Sequence, residues 1–289
     1  MSSLGNPNNT RDILKKYDFS ILKKYGQNFL IDEGVLEKIT DGSGVCKDDH
    51  VIEIGPGLGA MTQYLCEKAF AVTAVEIDKK LIPILNDTLS SYDNVTIINN
   101  DILKMDLREY IKNNCKGKNV KVVANLPYYI TTPILMKLLE DRLNLKSITV
   151  MVQKEVALRM KAEAGTKDYG ALSLAVNYYS KPDIIAHVPP NCFIPRPKVG
   201  SAVIKLQIYE TPLTVVKDEA FMFRLIRASF NQRRKTLANA LSNDASLGLD
   251  KDRIYNALSS LELNESIRGE ALTLSQFANL SDILLKGCE

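Results

Sequence analysis

Asn125-Leu126-Pro127-Tyr128 places a side-chain amide, a rigid proline and an aromatic ring directly after the apolar run Val120-Lys121-Val122-Val123-Ala124. The run predicts a buried strand, and in open α/β sheets ligands collect in the crevice beyond the strands' carboxyl ends. Pro127 stops the strand by removing a ladder donor and biases Leu126 towards an extended conformation. Neighbouring carbonyls are then free to face a ligand. An amide oxygen plus one such carbonyl can accept both hydrogens of an exocyclic amino group, while Tyr128 stacks on the ring that carries it. That describes a pocket for a flipped-out nucleobase. Taken alone, the same string also suits an ordinary strand-to-loop turn.

A second cluster lies upstream. Glu53-Ile54-Gly55-Pro56-Gly57-Leu58-Gly59 closes one strand and opens a helix, and its glycines permit a tight turn with close approach of backbone to ligand. Gly55, Gly57 and Ala60 also fit the loose dinucleotide pattern, so a nicotinamide enzyme competes. Pro56, however, offers no N–H in a loop whose usual task is to cradle pyrophosphate with backbone donors. A ligand with a ribose and no phosphate suits it better. Glu76, at the end of Val75-Glu76-Ile77-Asp78, is placed to accept hydrogen bonds from both ribose hydroxyls, with Ile77 against an adenine face. Asp101, in Asn99-Asn100-Asp101-Ile102, is placed to accept from an adenine amino group. Each carboxylate alone reads equally as a solvated loop charge. Glycine, Glu and Asp at three consecutive strand ends describe S-adenosylmethionine.

These positions require a framework of strands. Apolar, β-branched runs recur at Val51 to Gly55, Ala71 to Asp78, Asn94 to Asp101, Val120 to Pro127, Ser147 to Gln153, Ile184 to Pro189 and Val199 to Tyr209. The first five are spaced for crossover helices and predict a parallel, doubly wound sheet. The last two are joined by a proline-rich link too short for a crossover, which suggests an antiparallel final pair. After Tyr209 the pattern turns helical, as in Ala220 to Leu241 and Asp252 to Leu261. The expectation is a seven-stranded mixed sheet in a domain over 1–208, with a small all-helical domain over 209–289.

Composition permits this. The chain has 289 residues, 45% of them hydrophobic, enough for a substantial core. A net charge of +3 allows an anionic partner without requiring one. The five cysteines are scattered without a Cys-x-x-Cys pair, and there are two histidines, so neither a disulfide framework nor a metal site is expected. No apolar stretch reaches transmembrane length and no signal peptide is recognisable, which favours a cytoplasmic location.

Further strings narrow the reading. Gly26-Gln27-Asn28-Phe29-Leu30-Ile31-Asp32, Val51 to Gly59, Asn125 to Thr131, Gln153 to Ala157, Tyr169-Gly170-Ala171-Leu172-Ser173 and Phe193 to Val203 together resemble the rRNA adenine dimethyltransferases. The subgroup that modifies two adjacent adenosines near the 3′ end of small-subunit rRNA is the nearest match. The resemblance covers the chain from about residue 11 to its C-terminal helices. It implies a Rossmann-like class I methyltransferase fold with S-adenosylmethionine as donor. It implies cofactor contacts from Asn28, Leu30, Gly55, Glu76, Asp101 and Asn125, to which Gly57, Ile77 and Ile102 are added as neighbours on the same loops. Spacing alone leaves Gln27 and Asn28 as a polar turn. By the same resemblance Phe193 is a second aromatic at the target base, opposite Tyr128, with a core phenylalanine as the competing reading. Gly200 departs from the pattern, which usually has Asp there.

The chemistry so implied needs little acid–base help. The N6 lone pair of adenine is delocalised into its ring, so the amine must be oriented and partly rehybridised, a task for Asn125 and the carbonyl of Leu126 or Pro127. Positioning and preorganised electrostatics should dominate. Arg224, Arg227, Arg233, Arg234 and Lys235, on or just after a helix, are candidate contacts to the RNA backbone, with Lys15, Lys16, Lys23 and Lys24 as additions. A solvated helix face is the competing reading. The segment 162–168 looks mobile. The expected partner is small-subunit rRNA or a precursor of the small ribosomal subunit, bound by a monomer, with a role in subunit biogenesis. A resistance-type methyltransferase of large-subunit rRNA, a non-catalytic assembly factor and a DNA adenine methyltransferase are the alternatives.

Overall fold

The computed structural model describes residues 4–21 and 25–285; Lys23, Lys24 and Cys288 fall outside them. Its strands are β1 (Phe29–Leu30), β2 (Asp49–Ile54), β3 (Ala71–Glu76), β4 (Val95–Asn99), β5 (Asn119–Asn125), β6 (Leu145–Gln153), β7 (Ser180–Val188), β8 (Phe193–Ile194) and β9 (Ser201–Ile208). The helices in the order of the chain are α1 (Pro7–Lys16), α2 (Glu33–Ser43), α3 (Ala60–Lys68), α4 (Ile82–Thr88), α5 (Leu107–Asn114), α6 (Thr131–Glu140), α7 (Lys154–Lys161), α8 (Ala171–Tyr179), α9 (Glu219–Asn231), α10 (Leu237–Ser242), α11 (Lys251–Ser260) and α12 (Leu274–Leu285). Among the described residues, no helix is long and apolar enough to cross a membrane.

The chain divides into two compact units. The first runs through Ala157 and resumes over Lys181–Ile208; the second comprises Leu158–Ser180 and the chain from Tyr209 onward. The segment 158–180, which the sequence groups with the sheet, packs instead with the later helices. The reason is the apolar face of α8, where Leu174, Ala175, Val176, Tyr178 and Tyr179 are buried. The hydroxyls of Tyr178 and Tyr179 both donate to Glu219 at the start of α9. Their rings meet Phe223, the first edge-on at 5.4 Å and the second stacked at 5.8 Å.

In the first unit, seven strands form one sheet in the order β4-β3-β2-β5-β6-β9-β7. The pairs β2–β3, β2–β5, β3–β4 and β5–β6 are parallel, as crossover spacing requires, and β9 runs antiparallel to β6. Central strands bury both faces, so β2 reads Asp-His-Val-Ile-Glu-Ile with every residue buried. Leu36, Ile39, Val51, Leu65 and Val72 make one layer of core on the α2–α3 side. Each such side chain contributes about 1.5–3 kcal/mol by leaving water.

Two features escape sequence patterning. The short strands β1 and β8 pair antiparallel, Phe29 with Ile194 and Leu30 with Phe193, across more than 160 residues of chain. The helical run expected over Ala220 to Leu241 is two helices, because the chain turns after Asn231 and Thr236 caps α10 by accepting from the N–H of Asn239 at 3.4 Å. The segment 162–168 is also tied down: the Gly165 N–H donates to the Glu270 carbonyl at 2.8 Å, and Arg233 Nη2 donates to the Lys167 carbonyl at 2.7 Å.

Candidate functional site

Strands β2, β3 and β5 end side by side, and their carboxyl ends open into a cleft with about 890 Å³ of empty space, adjoining solvent included. Its lining includes Gly26 to Leu30, the turn after β2, Glu76-Ile77 at the end of β3 and Asn125 to Tyr128 from the end of β5, together with Thr10 of α1 and Leu81.

The turn after β2 keeps close to the sheet. Gly55 donates its N–H to the Val75 carbonyl at 2.9 Å, and Gly55 and Gly57 both lie in the left-handed region, at φ +70° and +63°. Their roles differ. A Cβ on Gly55 would meet nothing within 4 Å, so that position faces open space in the cleft, whereas one on Gly57 would press on two ring carbons of Phe29 at 3.1 Å. Gly55 leaves room for a ligand, and Gly57 leaves room for the protein.

Glu76 is 4% exposed, with Oε1 accepting from the Asp78 N–H at 2.8 Å and Oε2 from the Gly57 N–H at 3.3 Å. Burial pushes its carboxyl up to about 7, against the pull of those two hydrogen bonds. Each oxygen retains a lone pair for a ribose hydroxyl. Beside it Ile77 is 43% exposed, an apolar surface offered to the cleft. These features fit the adenosine part of S-adenosylmethionine.

Asn125 is held rather than loose. Its Nδ2 donates to the Asn28 carbonyl at 3.0 Å, Asn28 Nδ2 donates to the Gly26 carbonyl at 3.0 Å, and Gln27 Nε2 reaches Asp78 Oδ2 at 3.0 Å. The polar turn at Gln27-Asn28 thus ties the N-terminal segment to two strand ends. With Nδ2 engaged, Asn125 Oδ1 points its acceptor capacity elsewhere. Pro127's carbonyl accepts from the Ile130 N–H at 3.2 Å and the Thr131 hydroxyl at 3.1 Å, so both its lone pairs are in use. Of the two carbonyls considered from sequence, Leu126 is the one left to serve a ligand. The Tyr128 ring is half-buried, and its Oη lies 2.7 Å from Ser201 Oγ at the start of β9. Burial raises the phenol above its ordinary range, so it stays protonated.

Asn28, Leu30, Gly55, Gly57, Glu76, Ile77, Asn125, Leu126, Pro127 and Tyr128 therefore meet around one cleft. Three expected residues do not line it. Asp101 stands two residues beyond β4, where its Oδ1 accepts from the Leu103 N–H at 3.0 Å and caps a turn. Ile102 is 6% exposed and packs inward. Phe193 is 2% exposed, held in the core by its pairing with Leu30 and by contact with the α2–α3 layer, so its ring offers no face to a base in this arrangement.

In sequence Glu53 is only the start of the glycine string. It lies beneath the turn, fully buried and on the cleft wall, and its signal was a charged residue inside the apolar run Val51-Ile52-Glu53-Ile54. Ser201 lies within the string Phe193 to Val203, but its own role is not legible in sequence, since its use depends on a tyrosine 73 residues away. Among the described residues, no cluster of His, Cys, Asp and Glu is arranged to hold a metal ion.

In the second unit, Arg224 and Arg227 are exposed on one side of α9, and Arg234 and Lys235 are exposed beyond its end. Arg233 is committed to structure, with Nε on Glu270 Oε2 at 2.8 Å as well as its bond to Lys167.

Residues 18–284 match the family described as ribosomal RNA adenine dimethylase. The chain is 61% identical over 285 residues to ribosomal RNA small subunit methyltransferase A of Lachnoclostridium phytofermentans, covering 98% of each protein. It is 53% identical to the protein of that name from Bacillus pumilus, again with 98% of each covered. Among solved structures it is similar to a dimethyladenosine transferase from Plasmodium falciparum, with a TM-score of 0.70 and 26% identity over 87% of this chain and 95% of that one. It shares its fold with the 23S rRNA methyltransferase ErmE, at a TM-score of 0.66 and 24% identity over 89% of this chain and 99% of that one. With a match over nearly its whole length and a cleft suited to a methyl donor, the chain belongs to the ribosomal RNA adenine dimethylases, enzymes that draw on S-adenosylmethionine.

Proposed function

We propose that the protein converts two adjacent adenosines in the 3′-terminal hairpin loop of small-subunit rRNA to N6,N6-dimethyladenosine. The observation that carries the base-binding part is the arrangement at the end of β5. Asn125 is anchored through Nδ2, the Pro127 carbonyl is consumed by the following turn, and Oδ1 of Asn125 and the Leu126 carbonyl remain as a pair of acceptors.

When bound, S-adenosylmethionine supplies an electrophilic methyl group. Glu76 would hold its ribose, Ile77 its adenine, and the space before Gly55 its bulk, with Asn28 and Leu30 closing the cleft from the N-terminal side. Asn125 Oδ1 and the Leu126 carbonyl each accept one hydrogen of the target amine, drawing its lone pair out of conjugation and towards the donor. Tyr128, braced by Ser201, stacks on the base, worth ~1–3 kcal/mol by comparison with single-stranded binding. The methylated amine is acidic and loses its proton to solvent, so no side chain must act as a strong base. After one transfer, the remaining lone pair must return to the same line, which favours a pocket that positions rather than one that bonds covalently.

Arg224, Arg227, Arg234 and Lys235 would neutralise RNA phosphates, which makes binding salt-sensitive. The reading includes a monomer acting in the cytoplasm on a precursor of the small subunit, with a part in subunit biogenesis. Incubation with labelled donor and unmethylated small subunits, followed by mass spectrometry of the rRNA, tests it. Two adjacent dimethylated adenosines near the 3′ end are expected. Transfer to large subunits alone, or binding of donor and subunit without transfer, would overturn it.

A further inference from the structure

Glu53 is a carboxyl in an improbable place. It sits on the central strand β2, is 0% exposed, and neither oxygen has a hydrogen-bond partner among the described residues, yet it borders the cleft. An unpaired carboxylate in such a setting carries a large desolvation cost, so the group neutralises unless a cation is supplied. The elements packed around it supply none. From α3, Thr62 lies close enough to temper the effect without a bond of ordinary length, and the buried thiol of Cys66 is itself pushed up to about 12 by burial and by Glu53. From β3, Glu76 adds a second negative charge. On β2's two neighbours, the residues in register are Ala74 and Val123. Burial, reinforced by Glu76, accordingly raises the Glu53 carboxyl to about 8.

S-adenosylmethionine brings what the site lacks, because its sulfonium and ammonium outnumber its one carboxylate. We infer that Glu53 is a proton-holding subsite for the cationic part of the methyl donor, keeping a proton while the cleft is free of cation and giving it up to solvent when the donor enters. The inference rests on the reading of the cleft as the donor site. It makes donor binding proton-linked: where Glu53 is protonated in the free protein, affinity rises with pH by up to about tenfold per pH unit for one proton released. It also divides labour between the two buried carboxyls. Glu76 responds to any ligand with a ribose, and Glu53 only to one that carries positive charge.

The test is calorimetric titration near pH 7 in buffers of different ionisation enthalpy, which counts protons exchanged per ligand bound. Wild type and Glu53→Gln are each titrated with S-adenosylmethionine and with methylthioadenosine, which keeps the ribose but has neither sulfonium nor ammonium. Wild type should release up to about one more proton than Glu53→Gln with the charged donor, and the same number with methylthioadenosine. The comparison between proteins cancels the ligand's own amine titration and that of Glu76. Equal release from both proteins with S-adenosylmethionine would overturn the inference while leaving the donor site intact. Failure of folded wild type to bind the donor would overturn the donor-site reading and this inference with it. Should Glu53→Gln not fold, infrared difference spectra of the wild type replace it. A protonated-carboxyl stretch lost on adding the donor but not on adding methylthioadenosine supports the inference, and one that persists overturns it.

Discussion

Gly55 and Gly57 look alike in the sequence and should behave differently when given a methyl group. Both have positive φ, so alanine at either costs roughly 1–2 kcal/mol in backbone strain. At Gly57 the new Cβ also meets Phe29 Cδ1 and Cε1 at 3.1 Å, and Phe29 is 8% exposed within the core around Leu58, Leu81 and Leu85, so it has little freedom to retreat. Overpacking of that kind adds about 1–3 kcal/mol. At Gly55 nothing lies within 4 Å, so alanine should cost only the strain. The order reverses for ligand binding. A methyl at Gly55 projects into the space assigned to the donor, and a clash there worth ~1–3 kcal/mol weakens affinity by roughly 5- to 140-fold. Urea denaturation of the two variants without ligand, and calorimetric titration of each with S-adenosylmethionine, give the four numbers needed. Gly57→Ala should be the less stable protein and Gly55→Ala the weaker binder. Unchanged donor affinity in a folded Gly55→Ala protein would refute the placement of the donor against this turn.

Stability without ligand should fall as pH rises through neutrality, since Glu53 at about 8 and Glu76 at about 7 both stand above their ordinary values. A folded state that holds protons the unfolded chain has lost is stabilised fully below about pH 4.5 and loses that advantage as pH passes about 8; Glu53→Gln should flatten the Glu53 share, a few kcal/mol as an upper bound, in urea titrations across this range. Ser201→Ala removes the partner of the Tyr128 hydroxyl, which should cost about 1 kcal/mol of stability and lower kcat for adenosine methylation more than it raises KM for the donor; an unchanged kcat would mean that the tyrosine is positioned by packing alone. Arg233→Ala frees the 162–168 segment from its anchor, so amide exchange there should speed up while donor binding is unaltered; unchanged exchange would show that the Gly165 and Glu270 backbone bond suffices.

Much of the cleft is legible in the chain because its parts are local. A strand end followed by glycines, a carboxylate at the next strand end and Asn-Leu-Pro-Tyr at another each carry their own pattern, and parallel crossover topology brings such ends to one edge. The seven long strands were legible for the same reason: apolar runs of β-branched residues with crossover-length gaps leave few alternatives. Phe193 shows where this stops. Its family position suggested a base-stacking ring, but its exposure is set by pairing with Leu30, and no local pattern records a two-residue ladder between segments so far apart. The assignment of 158–180 to the helical unit is another such case, decided by where the buried face of α8 finds apolar partners. Charge behaves likewise. Arg233 and Arg234 are neighbours in one basic run and both are exposed, and only the tertiary structure sets the first on Glu270 and Lys167. By itself, then, the sequence determined the strand order in the chain and the identity of the cleft's main strings, since these follow from residue type and short-range spacing. Which carbonyl remains free, which carboxyl lacks a partner and which ring is buried were decided by long-range packing, because hydrogen bonding and desolvation depend on neighbours that the chain supplies only once it has folded.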